Sequence, residues 1–321
     1  MASYSHCQRT PSRGTASALA CVILSLLLSA CSTIFTMSQA PGDRPPVDPP
    51  RHEAAPYAQA PRVALVLSGG ATRAFAHIGV LRVLEREGLR PDLVVGTSAG
   101  AMVGAYYAAG RPVAEIEVLA AQLDLPTLID IDLVKLVLGG FRGLGLANGD
   151  RLEAFLRATI DKPLQSLPMR FAAVATDLQT GEAVLLTHGD TARALRASSA
   201  VPGLYEPVLA ADRLLGDGQI ISPLPVGAAR RLGARVVIGV DVVYPPQNAS
   251  LTSPLSVLFQ TMTISTYQHL AREREGADVL ISPTIPPTAD LALSDRDWLI
   301  AAGQAAAEAA LPRLKAAFAL H

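Results

Sequence analysis

Apolar residues run along this chain in two alternating rhythms. Val63-Ala64-Leu65-Val66-Leu67 is a short apolar run that opens into Ser68-Gly69-Gly70, the signature of a strand buried on both faces. From Ala74 to Glu87 the period changes. Ile78, Leu81 and Leu84 recur at helical spacing and Gly88 supplies a stop, which predicts a helix. Leu93-Val94-Val95 repeats the strand signal and leads through a turn into a helix ending at Gly110. No charge occurs from Leu93 to Gly110, yet the strand signal and the glycines at 96, 100 and 104 mark a buried core element rather than a membrane helix.

Downstream, a helix is expected over Asp150–Ile160, with Asn148 or Asp150 near its start. Phe171–Thr176 and Ala183–Thr187 flank Gln179-Thr180-Gly181 as a hairpin. Arg235–Val243 and Asp278–Ser282 read as further strands, and Arg296–Leu320 as an Ala-rich helix interrupted at Pro312. No internal repeat is visible. Strands alternating with helices predict an α/β fold, three layers with a mostly parallel central sheet, in one domain over residues 62–321.

The first sixty residues follow neither rhythm. Arg9 and Arg13 precede an apolar run from Ala18 to Ala30 that is too short to span a bilayer and ends in small residues, as a secretory signal does. Its end, Leu28-Ser29-Ala30-Cys31, resembles the bacterial lipobox, in which the cysteine after the cut is lipidated. Residues 1–30 are thus expected to be removed, taking Cys7 and Cys21 with them. Cys31 would remain as the single thiol of the mature chain, without a disulfide partner. Ser32 follows it, where an Asp would favour inner-membrane retention, so an outer-membrane, periplasm-facing anchor is expected. Seven prolines lie between Pro41 and Pro61, so residues 31–61 read as an extended tether, reaching roughly 30 Å as a coil and about 90 Å if fully polyproline-like.

Composition narrows the function classes. Half the residues are apolar (50%) and only 17% charged, which excludes a disordered polymer. With 27 Lys+Arg against 28 Asp+Glu, there is no electrostatic footprint for nucleic acid.

Candidate chemistry concentrates in the second strand–turn–helix unit. Gly96-Thr97-Ser98-Ala99-Gly100 matches the G-x-S-x-G nucleophile elbow. There a tight turn strains the serine backbone and exposes its hydroxyl at a helix N-terminus. The inert alternative is a serine that merely caps the helix. A serine nucleophile needs a base, and the downstream histidines are His188, His269 and His321, none in a convincing catalytic loop. Asp217, between Gly216 and Gly218 after the apolar Leu214-Leu215, is the better candidate; Asp177 and Asp241 also follow apolar strands and are its rivals. A plain Asp-Gly turn is the bland reading of the same residues. His77, at the start of an apolar helix, reads as a packing or hydrogen-bonding residue. Gly69-Gly70 lacks the spacing of a dinucleotide loop.

Three blocks in order, Gly69-Gly70-Ala71-Thr72-Arg73-Ala74, Gly96–Gly100 and Asp217-Gly218-Gln219, together with Ala74–Leu81, Asp177–Glu182 and Ala197–Pro202, resemble the patatin-like phospholipases, in particular their envelope lipoproteins. The resemblance covers essentially all of residues 62–321. It implies a Ser98–Asp217 dyad without histidine, metal or cofactor, acting on phospholipid or another fatty-acyl ester. It also implies an oxyanion hole from the backbone N–H groups of Gly69, Gly70 and Ala71 with Ala99, and Arg73 bracing that loop or adding positive charge. The sequence departs from the family pattern at Ala71 and Ala74, where glycine is usual, and at Gln219, where Gly or Ala is usual. If position 71 needs a positive φ, alanine is strained there by roughly 1–2 kcal/mol. Two alternatives share the fold: a lipid-binding or scaffolding lipoprotein with negligible turnover, and an acyltransferase that uses the same acyl-enzyme.

Overall fold

The computed structural model describes residues 59–130, 144–247, 250–286 and 292–319. The expected signal segment, Cys31, most of the tether and His321 lie outside the described residues. Among the described residues, no helix is long and apolar enough to cross a membrane.

An eight-stranded sheet forms the middle layer. Its strands are β1 (Val63–Leu67), β2 (Leu93–Thr97), β4 (Arg170–Asp177), β5 (Ala183–Leu186), β7 (Val208–Ala210), β8 (Arg213–Asp217), β9 (Val236–Val240) and β10 (Val279–Ile281). They run in the order β10-β9-β1-β2-β4-β8-β7, with β5 also on β4. The five strands from β10 to β4 are parallel, and β5, β8 and β7 pair antiparallel. Two short strands, β3 (Gly145–Ala147) and β6 (Gly203–Tyr205), form a second small sheet.

Strand alternation divides the core in two. Val63, Leu65 and Leu67 of β1 face one cluster, which includes Ile78, Leu81 and Leu84 of α1 (Phe75–Arg86), Ala101 and Ala105 of α2 (Ala99–Ala108) and Ile116 of α3 (Val113–Gln122). The same cluster takes Leu152 and Leu156 of α4 (Asp150–Thr159) and Leu195 of α5 (Thr191–Ser198). Ala64 and Val66 face the opposite cluster, with Ala229 of α6 (Val226–Arg231) and Leu270 of α7 (Pro254–Glu275). Both faces of the parallel strands are therefore covered, and β1, β2 and β9 are buried along their whole length.

The last helix, α8 (Arg296–Ala319), is continuous across Pro312, where an interruption was expected. Pro312 is on the exposed side, while Leu299, Gly303, Ala307, Ala310, Leu314 and Ala317 are buried along the other. Contact with α1 outweighs the lost hydrogen bond. That contact is backbone to backbone: a Cβ on Gly303 would lie 1.8 Å from the Ala76 carbonyl oxygen, and one on Gly79 1.9 Å from that of Ile300. Helix α4 begins at Asp150, as expected, behind an N-cap Gly149 in the left-handed region (φ 76°) and without a side-chain cap. The Gln179-Thr180-Gly181 hairpin forms as expected between β4 and β5.

Candidate active site

Register along β4 explains how two residues far apart in sequence meet. Val174 pairs with Thr97 of β2 on one edge and Leu185 of β5 on the other. The next residue, Ala175, pairs with Val184 of β5 and Asp217 of β8. Strands β2 and β8 thus lie end to end on one edge of β4, their C-terminal ends facing each other. Ser98, one residue beyond β2, donates its hydroxyl to Asp217 Oδ2 at 2.7 Å.

Ser98 has φ 53° and ψ −128°, a conformation that costs an L-residue on the order of 1–3 kcal/mol. Two close approaches make the bend possible. A Cβ on Gly96 would sit 2.5 Å from the Ala101 Cα, and one on Gly100 2.3 Å from the Ser68 carbonyl oxygen. Although Ser98 occupies the N-cap position of α2, its side chain caps nothing. The hydroxyl is directed to the carboxylate instead, so the capping alternative does not describe it.

Asp217 combines both readings of its Asp-Gly dipeptide. Its Oδ1 accepts the Gln219 amide at 2.8 Å, closing the turn, while Oδ2 faces Ser98. The residue is 2% exposed. Burial pushes its carboxyl up to about 6, against the downward pull of the Gln219 and Ser98 hydrogen bonds. At neutral pH it is an ionised but unusually basic carboxylate. The rivals are committed elsewhere. Asp241 binds Arg274 and the Val243 amide, while Asp177 holds the Gln179 amide and lies 3.5 Å from Arg213.

The glycine loop follows β1 on the neighbouring side of the elbow. Here one expectation needs correcting. The Gly69 N–H donates to the Pro223 carbonyl at 3.0 Å, so Gly69 shapes the loop but has no amide to offer an oxyanion. Gly70 and Ala71 remain, together with Ala99, whose N–H belongs to the first turn of α2 and lacks an intrahelical acceptor. Ala71 has φ 49°: the chain takes the glycine conformation at a position where it carries alanine. Arg73 is 4% exposed and stacks on the Tyr244 ring at 4.0 Å, with Nη1 buried and unpartnered. It braces the loop from within.

His77 is fully buried and donates Nε2–H to the Ser68 carbonyl at 2.8 Å. Burial holds its imidazole down to about 4, so it is neutral and structural. His188 contacts Thr187 and His269 the Ser265 carbonyl, and neither is bonded to Ser98 or Asp217. Among the described residues, no group of three or more His, Cys, Asp or Glu could hold a metal ion.

Sequence reasoning gave Ser198 no role, and the structure gives it one. Its hydroxyl donates to the Val174 carbonyl at 2.6 Å and accepts the Ser98 amide at 2.9 Å, pinning the elbow backbone to β4. The only signal was its place in the Ala197–Pro202 block. Thr176 acts similarly on the other partner, donating Oγ1 to the Asp217 carbonyl at 2.8 Å.

Comparison with known proteins identifies relatives of the chain. The family model described as patatin-like phospholipase matches residues 65–230. An uncharacterised NTE family protein of Mycobacterium tuberculosis is 34% identical over 183 residues, 57% of this chain and 49% of that protein. The rat patatin-like phospholipase domain-containing protein 7 is 35% identical over 187 residues, 56% of this chain and 13% of that protein. This chain therefore spans about half the length of the mycobacterial relative and a small part of the mammalian one. Among solved structures, VipD of Legionella pneumophila covers 88% of this chain, and 73% of VipD is covered, at 14% identity and a TM-score of 0.47.

Proposed function

Because this chain belongs to the patatin-like phospholipase family, we propose that it is a serine acyl hydrolase that cleaves fatty-acyl esters of lipids through Ser98 and Asp217. One observation carries the reading: a strained serine at a helix N-terminus donates to a buried, basic carboxylate at 2.7 Å. Asp217 takes the hydroxyl proton as Ser98 Oγ attacks the ester carbonyl, and the carbonyl oxygen becomes an oxyanion. Amides of Gly70, Ala71 and Ala99 face that charge, each such donor worth about 2.7–4 kcal/mol. When the intermediate collapses, the alcohol leaves with the proton from Asp217, and Ser98 keeps the acyl group. Water then gives a proton to Asp217 and hydroxide to the acyl carbon, and the fatty acid departs as Ser98 regains its proton.

A carboxylate raised to about 6 suits this role, since a base poised near the working pH is ionised yet still accepts a proton. The positive φ of Ala71 also supports turnover over an inert scaffold, because the loop keeps its strained shape despite alanine. An apolar surface adjoins the site. Helix α7 carries no Asp, Glu, Lys or Arg from Pro254 to Leu270, exposes Val257, Leu258 and Ile264, and reaches the Gln219 carbonyl through Thr266 at 3.1 Å.

A fluorophosphonate probe tests the assignment. Wild type should label and release fatty acid from phospholipid vesicles, and Ser98→Ala should do neither. Equal labelling of the two proteins would remove Ser98 from the reaction, and labelling without turnover would favour the scaffold. Raising an added alcohol at fixed lipid separates hydrolysis, which leaves free acid, from transfer, which leaves a new ester. The proposal extends to location: a lipidated Cys31 ties the domain through its tether to the periplasm-facing side of the outer membrane. Cys31→Ser should then move the protein from the membrane to the soluble fraction.

A further inference from the structure

The segment after Asp217 links the two halves of the site, and a single carboxylate from another helix holds it. Beyond the short 3-10 turn Gly218–Ile220, three consecutive residues present groups to three partners. The Ser222 carbonyl accepts the Thr97 hydroxyl at 2.8 Å, and Thr97 immediately precedes Ser98. The Pro223 carbonyl accepts the Gly69 amide at 3.0 Å, in the glycine loop. The Leu224 amide donates to Glu273 Oε2 at 2.8 Å, and the Ser222 hydroxyl to Glu273 Oε1 at 2.5 Å. Residues 222–224 thus form a bracket, one carbonyl on the elbow and the next on the oxyanion loop. Both oxygens of Glu273, near the end of α7, grip it from behind.

Thr97 and Leu224 are fully buried and Ser222 is 5% exposed, so little beside these bonds can re-solvate the groups if one is lost. Burial also pushes the Glu273 carboxyl up to about 7 in spite of its two donors. A buried acid retained at such a cost is the pattern of a group kept for position rather than for stability. Among the described residues no charged side chain bonds to it: on its own helix Arg274 is paired with Asp241, and residues 218–225 carry no charge.

We propose that Glu273 is a positioning residue for the hydrolase: by clamping residues 222–224 it sets the distance between the oxyanion amides and the Ser98 hydroxyl. This rests on the reading of Ser98 as nucleophile. Displacement of the bracket moves Gly69 and Thr97 together, and misplacement of reacting groups by about 1 Å lowers rates by about 100-fold.

The test uses the full chain with a p-nitrophenyl acyl ester and a fluorophosphonate, on Glu273→Ala, Glu273→Gln and Ser222→Ala. Glu273→Ala should lower kcat by about 10- to 100-fold with KM within about twofold, and slow probe labelling in parallel. Glu273→Gln keeps an acceptor for Leu224 and a polar partner for Ser222, and should recover most of kcat. Ser222→Ala, which removes one of the two bonds, should fall between them and covers the case in which Glu273→Ala does not fold. Wild-type kcat in folded Glu273→Ala, or in Ser222→Ala where Glu273→Ala does not fold, overturns the proposal, as does a loss confined to KM. Glutamine no better than alanine also overturns it. If wild type itself neither labels nor turns over, the reading of Ser98 fails first, which is a distinct result.

Discussion

Replacing Asp217 with asparagine should make the protein more stable and inactive. Asp217 is 2% exposed, and folding raises its carboxyl from an ordinary 3.8 to about 6. At about 1.36 kcal/mol per pH unit, that rise amounts to about 3 kcal/mol of destabilisation when the group is ionised. The folded protein holds this proton more tightly than the unfolded chain. The penalty is therefore fully present above pH 6, shrinks as pH falls through the folded value, and is gone below 3.8. Asparagine has no such titration, while its amide can still accept from Gln219 and donate to the Ser98 oxygen. Thermal unfolding at pH 7.5 should show Asp217→Asn melting higher by about 6–10 °C for a domain of this size. The gap should close progressively between pH 6 and pH 4, with ester hydrolysis lost at every pH. An equal or lower melting temperature at pH 7.5, or a gap that does not change with pH, would refute the argument. The carboxylate would then be well solvated or fully compensated.

Further expectations follow from the same geometry. In wild type, kcat/KM should rise with pH through about 6 and level off above it, because the base must be ionised; a midpoint near 4 would contradict the burial of Asp217. Gly100→Ala puts a Cβ 2.3 Å from the Ser68 carbonyl oxygen and should cost about 3 kcal/mol or more in chemical denaturation, with loss of activity; native stability would show the elbow to be looser than described. Ser198→Ala leaves the Ser98 amide and the Val174 carbonyl without their shared hydroxyl, so stability should fall by about 1–3 kcal/mol and kcat more than KM. Ala71→Gly removes left-handed strain of about 1 kcal/mol, partly offset by the freedom glycine gains when unfolded. Melting should rise slightly with activity kept, and a clear fall would mean that the alanine methyl makes a needed contact.

What could be read from the sequence was local. The apolar run Val63–Leu67 and the spacing Gly96–Gly100 mark strand and elbow because their chemistry lies within a few residues. Asp217 was recognisable as an acid between glycines, though only the register of β4 separates it from Asp177 and Asp241. The fate of the Gly69 amide was hidden, since its acceptor, Pro223, belongs to another part of the chain. Helix α5 shows the same limit. Thr191, Arg193, Arg196 and Ser198 are buried there, although Arg193 and Arg196 read in sequence as a solvent-facing side. Arg196 Nη2 donates to the Asn148 and Glu206 carbonyls and the Ser198 hydroxyl to β4, partners that no pattern within the helix announces. The continuity of α8 across Pro312 likewise depends on α1, more than two hundred residues earlier.

The end-to-end placement of β2 and β8 on β4 also governs when the reactive pair comes into being during synthesis. The hydroxyl and carboxyl are separated by 119 positions along the polypeptide, and their alignment is dictated by the strand that lies between them in sequence. A ribosome-bound chain that has emerged only as far as β4 carries the elbow but no partner for it. If the proposed dyad is the reactive pair, the nascent protein stays chemically silent until β8 docks on β4, and reactivity reports that pairing rather than folding of the elbow alone.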